Sequence, residues 1–321
     1  MIKVDGLTKF YGSTRAIDNI SFEVPEGVVL GFLGPNGAGK TTTMKILTCY
    51  TPPTSGSASI AGFDVIKHSL EVRRIIGYMP ESMPLYKDMT VRSYLRFVAE
   101  AKGVSPKRKI RESLDAVIVE VGLDKVAHRL VGNLSRGFQQ RVGLGQALIS
   151  EPRVLILDEP TVGLDPQQII EIRNVIKAMA AKRTVILCSH ILPEVSQVCS
   201  HVVIISAGKI VARGTTDELI SEIEHDVTTI AMIKGDLNTS AQTLSSIKDI
   251  KTCKITRQID DTVAEFELRY SQGKDMREII SRQIFNSGGC LLEFRTHGLS
   301  LEDIFIKVVT AEEKEVLTHV A

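Results

Sequence analysis

Three short stretches of this sequence carry residue types that could move a phosphoryl group. Gly34-Pro35-Asn36-Gly37-Ala38-Gly39-Lys40-Thr41 has the spacing G-x-x-x-x-G-K-[ST], and Thr42 follows it. Glycines at those intervals let successive backbone N–H groups turn toward an anion. Lys40 would reach the β- and γ-phosphates of a nucleotide, and Thr41 would offer its hydroxyl to Mg²⁺. Asp158 and Glu159 follow the apolar run Val154-Leu155-Ile156-Leu157. Two adjacent carboxylates at the end of a buried strand are costly unless something binds them. A magnesium ion accounts for Asp158, and a hydrolytic water accounts for Glu159 as general base. His190 closes a second apolar run, Val185-Ile186-Leu187, where its ring could reach the γ-phosphate.

These groups need a scaffold that brings three loops together. Val28 to Leu33 is a continuous apolar run ending at glycine, as a buried parallel strand does. Strand patterns recur at 57–61, 154–157, 184–189, 202–206 and 209–212, with helical patterns at 40–48, 70–76 and 167–181. Amphipathic helices are expected near 91–102, 107–121 and 136–149. Such alternation predicts a mainly parallel α/β core with a helical subdomain at about 85–150. Thr215-x-x-Glu218 is a capping box for a short helix reaching about Glu224. Beyond it, strands at 227–233, 250–256, 262–269 and 290–295 and helices at 239–247 and 275–286 give the order βαββαβ. That order predicts a small α+β ferredoxin-like domain over 226–321, after a first domain over 1–225. A last helix is expected at Leu301–Val308.

Composition narrows the function. With 321 residues, 43% hydrophobic and 24% charged, the chain suits a globular protein of two domains. A net charge of +1 gives no footprint for nucleic acid. The cluster Lys107-Arg108-Lys109 with Arg111 interleaves with Ile110, Leu114, Val117, Ile118 and Val121, and reads as the solvated face of a helix. The five cysteines are odd in number and form no CxxC pair, which points to reduced thiols in the cytoplasm. No apolar run nears the ~20 residues of a membrane helix. Met1-Ile2-Lys3-Val4-Asp5 lacks the core of a signal peptide. Membrane work would go through a partner, at the inner face of the cell membrane.

The phosphate loop, the Asp-Glu pair, His190 and the stretch Leu134-Ser135-Arg136-Gly137-Phe138-Gln139-Gln140-Arg141 together resemble the nucleotide-binding subunit of ATP-binding cassette (ABC) transporters. The likeness runs over residues 1 to about 215. It implies a P-loop ABC ATPase fold, ATP and Mg²⁺ as cofactors, and a shared site between two subunits. Tyr11 matches the aromatic that stacks on adenine, against the alternative of a buried core tyrosine. Ser135 and Gly137 match the signature motif that meets the γ-phosphate held by the opposite subunit, a helix start with a hydroxyl aimed at an anion. Asp165 matches the loop crossing the dimer centre, and His190 the switch histidine. Met83 to Met89, apolar within an expected loop, reads as part of a groove for a permease helix, against the alternative of simple packing under the helical subdomain.

Two departures mark a branch. Arg136 and Phe138 stand where the signature usually has glycine and glutamine, and Glu81 stands where the family carries glutamine. An ionised glutamate only accepts hydrogen bonds, so Glu81 is expected to keep a metal contact and to weaken ATP affinity. These departures resemble the exporter-like branch that pairs with ABC-2 type permeases, including subunits linked to gliding motility or drug export. The implied partners are such a permease and a second copy of the chain. The competing class is a soluble cassette protein clamping ribosomes or nucleic acid. Its members usually carry two cassettes or a long coiled coil, and this sequence has one phosphate loop and no sustained heptads. An inactive scaffold is disfavoured by the presence of Lys40, Asp158, Glu159 and His190.

Overall fold

A computed structural model of the protein describes residues 1–223, 226–271, 275–297, 301–306 and 310. The chain groups into two compact units, Met1–Thr216 with the chain from Phe305, and Asp217–Ile304.

The larger unit begins with β1 (Ile2–Tyr11), β2 (Thr14–Val24), β3 (Val29–Leu33), α1 (Lys40–Leu47), β4 (Ser55–Ile60) and β5 (Phe63–Asp64). It continues with α2 (Ser69–Ile75), β6 (Ile76–Met79), α3 (Val91–Ala101), α4 (Lys107–Glu120) and α5 (Arg136–Leu148). The remaining elements are β7 (Val154–Asp158), α6 (Pro166–Ala180), β8 (Thr184–Ser189), α7 (Leu192–Ser196), β9 (His201–Ser206) and β10 (Lys209–Thr215). Six strands form a sheet in the order β10-β9-β3-β8-β7-β6, parallel except for β10. Every residue of β3, β7 and β8 is buried, which is why they read as unbroken apolar runs. A smaller antiparallel sheet runs β2-β1-β4-β5. Phe22 and Phe32 meet at 5.5 Å in the core between them, with Ile17, Met44 and Ile46 fully buried alongside.

The sheet order explains the site. Because β3, β8 and β7 are parallel neighbours, their C-terminal ends open on one edge, where α/β sheets bind ligands. Leu33 pairs with Ser189, and Asp158 with Cys188, so the phosphate loop, the Asp-Glu pair and His190 leave the sheet side by side. β6 pairs with β7 and carries Glu81 to the same edge two residues after its end. The periodicity predicted helix through Ile76 and gave no strand there. Four residues are too few to display alternation, and the strand's approach to α5 depends on Gly77, where a Cβ would lie 2.1 Å from the carbonyl oxygen of Ala147.

Within the helical stretch, Thr90 caps α3 by accepting the N–H of Ser93. On α4, Ile110, Leu114, Val117 and Ile118 are buried while Lys107, Arg108, Lys109 and Arg111 face out, with Arg108 3.4 Å from Glu112. That basic cluster is a helix surface, as its spacing predicted.

α8 (Thr216–Ile223) leads into the smaller unit. There β11 (Asp226–Lys234), α9 (Leu237–Ser246), β12 (Ile250–Gln258), β13 (Val263–Ser271), α10 (Arg277–Asn286) and β14 (Cys290–His297) follow the expected βαββαβ order. The sheet order is β12-β13-β11-β14, antiparallel throughout. Phe266, Leu268, Ile280 and Ile284 form its core, where the hydroxyls of Thr229 and Tyr270 bond at 2.8 Å. Residues 301–306 are helical; the rest of the expected Leu301–Val308 helix, and the helix end at Glu224, lie outside the described residues.

Candidate nucleotide site

The loop between β3 and α1 is shaped by its glycines. A Cβ on Gly34 would stand 2.3 Å from the carbonyl oxygen of Ile205, and Gly39, at φ 108°, would bring one 2.6 Å from that of Ala16. Only glycine fits both places. Lys40, buried at the first turn of α1, donates from Nζ to the carbonyl oxygens of Gly34 (2.7 Å) and Pro35 (3.1 Å). Its ammonium also lies 3.9 Å from the Glu159 carboxylate. Asn36, Gly37, Gly39, Lys40, Thr41 and Thr42 line a cavity of about 510 Å³ that Ala16, Glu81, Glu159, Val162 and His190 complete. Ala38 is buried behind it.

Asp158 is fully buried at the end of β7, and its Oδ1 accepts from the Thr41 hydroxyl at 3.5 Å. Burial pushes its pKa up from 3.8 to about 6; the Thr41 bond opposes this, and the Glu159 and Glu81 carboxylates add to it. Oδ2 has no hydrogen-bond partner. Glu159 sits in the left-handed region at φ 51°, a strained backbone of order 1 kcal/mol for a non-glycine residue. Its N–H donates to the carbonyl of Cys188 at 3.0 Å, which holds that turn in place. Both Glu159 oxygens lie 2.9 Å from His190 Nδ1. A carboxylate can only accept, so Nδ1 carries the hydrogen and Nε2 is left to point elsewhere. The His190 side chain is 46% exposed, open to an incoming group.

The predicted residues do not all meet. Ser135 caps α5, accepting from Phe138 N–H, and Asp165 caps α6, accepting from Gln168 N–H at 2.9 Å. Ser135, Gly137 and Asp165 line a second cavity of about 550 Å³ with Arg141, Gln168 and Glu171. None of the lining residues is common to the two cavities. Arg136 packs its guanidinium against Gly163, where a Cβ would be 2.2 Å from its Cζ. Tyr11 is 48% exposed at the end of β1, with Lys9 Nζ 5.1 Å from its ring centre. The core-tyrosine alternative is therefore excluded, though Tyr11 does not line the Lys40 cavity. Met83 to Met89 divides in two. Met83 packs on α5 at Gly143, whereas Tyr86 is exposed, its ring 5.5 Å from that of half-exposed Phe97.

Sequence reasoning passed over Thr161 and Glu194. Both are buried, and Thr161 Oγ1 donates to Glu194 Oε2. A glutamate four residues past His190 carries no sign of burial in its type or spacing.

The residues present suit a magnesium ion. Asp158 offers an unpartnered buried oxygen, Thr41 a hydroxyl beside it, and Glu81 a carboxylate on the cavity that Thr41 also lines. This is the all-oxygen donor set of a hard cation. Among the described residues no cluster of three or more His, Cys, Asp or Glu could hold a metal unaided. Mg²⁺ bound with phosphates and water needs no such cluster.

A parallel sheet with a glycine-lined anion loop, an Asp-Glu pair and a histidine on one edge defines a P-loop nucleotide hydrolase. Comparison with known proteins narrows the class. The ABC transporter family model matches residues 17–162. The chain is 34% identical over 314 residues to the uncharacterized ABC transporter ATP-binding protein YxlF of Bacillus subtilis (strain 168), covering 97% of this chain and 100% of that one. It is 35% identical over 311 residues to the bacitracin transport ATP-binding protein BcrA of Bacillus licheniformis, covering 96% and 97%. A solved ATP-binding subunit of an ABC transporter superposes with a TM-score of 0.63 at 30% identity, over 70% of this chain and 93% of that one. The chain belongs to the ABC transporter family as an ATP-binding, ATP-hydrolysing subunit. Subunits of this kind work with membrane permeases. No helix among the described residues is long and apolar enough to cross a membrane.

Proposed function

We propose that two copies of this chain close head to tail over two Mg²⁺-ATP and drive an ABC-2 type permease that exports its cargo, from the inner face of the cell membrane. The observation that carries this is the split between the two cavities. Lys40, Thr41, Glu159 and His190 share one, with Asp158 buried behind the Thr41 hydroxyl, while Ser135, Gly137 and Asp165 line another. A γ-phosphate held by Lys40 meets Ser135 and Gly137 only if a second copy supplies them. The N-terminus of α5 is suited to that role, with helix N–H groups and a hydroxyl at an anion-binding end.

In this reading the phosphates lie along the Gly34–Thr42 backbone, and Lys40 exchanges its carbonyl partners for β- and γ-oxygens. Bound Mg²⁺ would neutralise phosphate charge, held by Thr41 and Asp158 with Glu81 beside them. Glu159 takes the proton of the attacking water. His190, fixed through Nδ1 by Glu159, turns Nε2 toward the γ-phosphate. Tyr11, exposed at the end of β1, stacks on adenine outside the lining of the Lys40 cavity. Each nucleotide gains contacts only in the closed state, so binding drives closure and hydrolysis releases it.

Export is supported by the departures at Glu81, Arg136 and Phe138 and by the likeness to a bacitracin transport protein. The ledge of Leu85, Tyr86 and Phe97 is our candidate for the permease contact. Residues 1–225 act as the ATPase body and 226–321 as an accessory domain for dimerisation or regulation, an assignment by analogy of fold. The deciding experiment is Glu159→Gln. With Mg²⁺-ATP in excess it should accumulate as an ATP-loaded dimer on size-exclusion chromatography. A variant that stays monomeric at saturating ATP would rule out the shared site.

A further inference from the structure

Behind the Glu159–His190 contact lies a second bridge between the same two segments. Glu159 begins a turn running through Thr161 to Asp165, pinned internally by Val162 N–H to Glu159 O (3.3 Å) and Leu164 N–H to Thr161 O (3.2 Å). His190 leads into α7, which is anchored from below where Val195 packs on Gly31 of β3. Ile191 N–H donates to Ser189 Oγ at 3.0 Å and Glu194 N–H to Ile191 O at 3.1 Å, so α7 is tied closely to β8. Glu194, 6% exposed, reaches from α7 to the hydroxyl of Thr161, 3% exposed, and its other oxygen is buried without a partner. A buried carboxyl with half its acceptor capacity unused is costly for a residue serving packing alone. Burial pushes the Glu194 carboxyl above its usual pKa; the Thr161 bond opposes this, the Glu159 carboxylate adds to it, and Arg173 and His190 oppose it.

We propose that Glu194 is a positioning residue for ATP hydrolysis: through Thr161 it locks the Glu159–Asp165 turn to α7, and so fixes Glu159 against His190. The inference rests on the reading of Glu159 as general base. Its left-handed backbone at φ 51° means that Glu159 depends on surrounding contacts to hold its aim. The Glu194–Thr161 bond is one such contact, and neither residue lines the Lys40 cavity, so it can tune rate without tuning affinity.

The test compares Glu194→Ala, Glu194→Gln, Thr161→Val and the Glu194→Ala/Thr161→Val double variant in the purified full chain. Steady-state ATPase and amide hydrogen exchange across residues 159–165 are measured for each. Glu194→Ala should lower kcat about 10- to 100-fold, the scale of a misplaced catalytic group, with KM for Mg²⁺-ATP changed by less than about twofold. Glu194→Gln keeps an oxygen for the Thr161 hydroxyl and should recover most of the rate. The double variant should be no slower than Glu194→Ala, because both substitutions remove one bond. Amides of the turn should exchange faster in Glu194→Ala and return toward wild type in Glu194→Gln, a readout independent of turnover. Unchanged kcat in Glu194→Ala, multiplicative losses in the double variant, or unaltered exchange would overturn the proposal. Glu159→Gln run alongside separates the two readings: if it hydrolyses ATP normally the base assignment falls, whatever Glu194 does.

Discussion

Asp158 is the residue whose chemistry is most at odds with its surroundings. It is wholly buried, has one oxygen without a partner, and faces two other carboxylates. Burial has raised its pKa from 3.8 to about 6, so the folded chain holds this proton more tightly than the unfolded chain. Stability from that proton is therefore full below about pH 4 and is lost as pH climbs through about 6. Asp158→Asn removes the charge and keeps an acceptor for Thr41. At pH 8 the nucleotide-free variant should melt above wild type, by on the order of 1–3 kcal/mol in unfolding free energy, and the margin should shrink between pH 6 and pH 4. Thermal denaturation across that range checks it. Added Mg²⁺-ATP should reverse the ranking, because the charge that destabilises the free protein is the one the cation needs.

At the scale of elements, legibility followed how local the determinant is. The phosphate loop, the Asp158-Glu159 pair and His190 were readable because their chemistry is written in adjacent residues at the ends of buried apolar strands. β6 was not, since four residues joined directly to a helix leave no period to detect, and only the sheet brings Glu81 to the edge. Thr161 and Glu194 were invisible for a different reason: two ordinary polar residues 33 apart become one buried pair only in three dimensions. The Met83–Met89 loop was half legible, because apolar side chains that pack and apolar side chains that wait for a partner look alike in sequence. The structure separates Met83, covered by α5, from Tyr86, 52% exposed beside Phe97. Leu85→Asp with Tyr86→Asp should leave the melting temperature and basal ATPase near wild type and abolish co-purification with the permease. Normal co-purification would move the docking surface elsewhere.

For the whole molecule, the βαββαβ unit has its own sheet and its own core, and its topology followed from the alternation of its elements. Its task does not follow from that topology, because a fold of this kind is reused for many purposes. The larger unit is more explicit, since in the proposed reading its Lys40 and Ser135 cavities hold residues that act on the same phosphate only in company.

That separation has a genetic consequence. If every ATP is held by the Lys40 face of one copy and the Ser135 face of another, Lys40→Ala and Ser135→Ala are each dead as homodimers but can rescue one another. In a mixed dimer both lesions fall on the same ATP and the opposite pocket is built entirely from intact faces. An equal mixture of the two dead proteins should regain about a quarter of wild-type ATPase activity, half the dimers being mixed and each having one good pocket. Two lesions within one chain, Lys40→Ala with Ser135→Ala, mixed with wild type would instead leave every mixed dimer with one fault per pocket and no activity of its own. Recovery in the first mixture and silence of the hybrids in the second would be the signature of catalysis divided between copies.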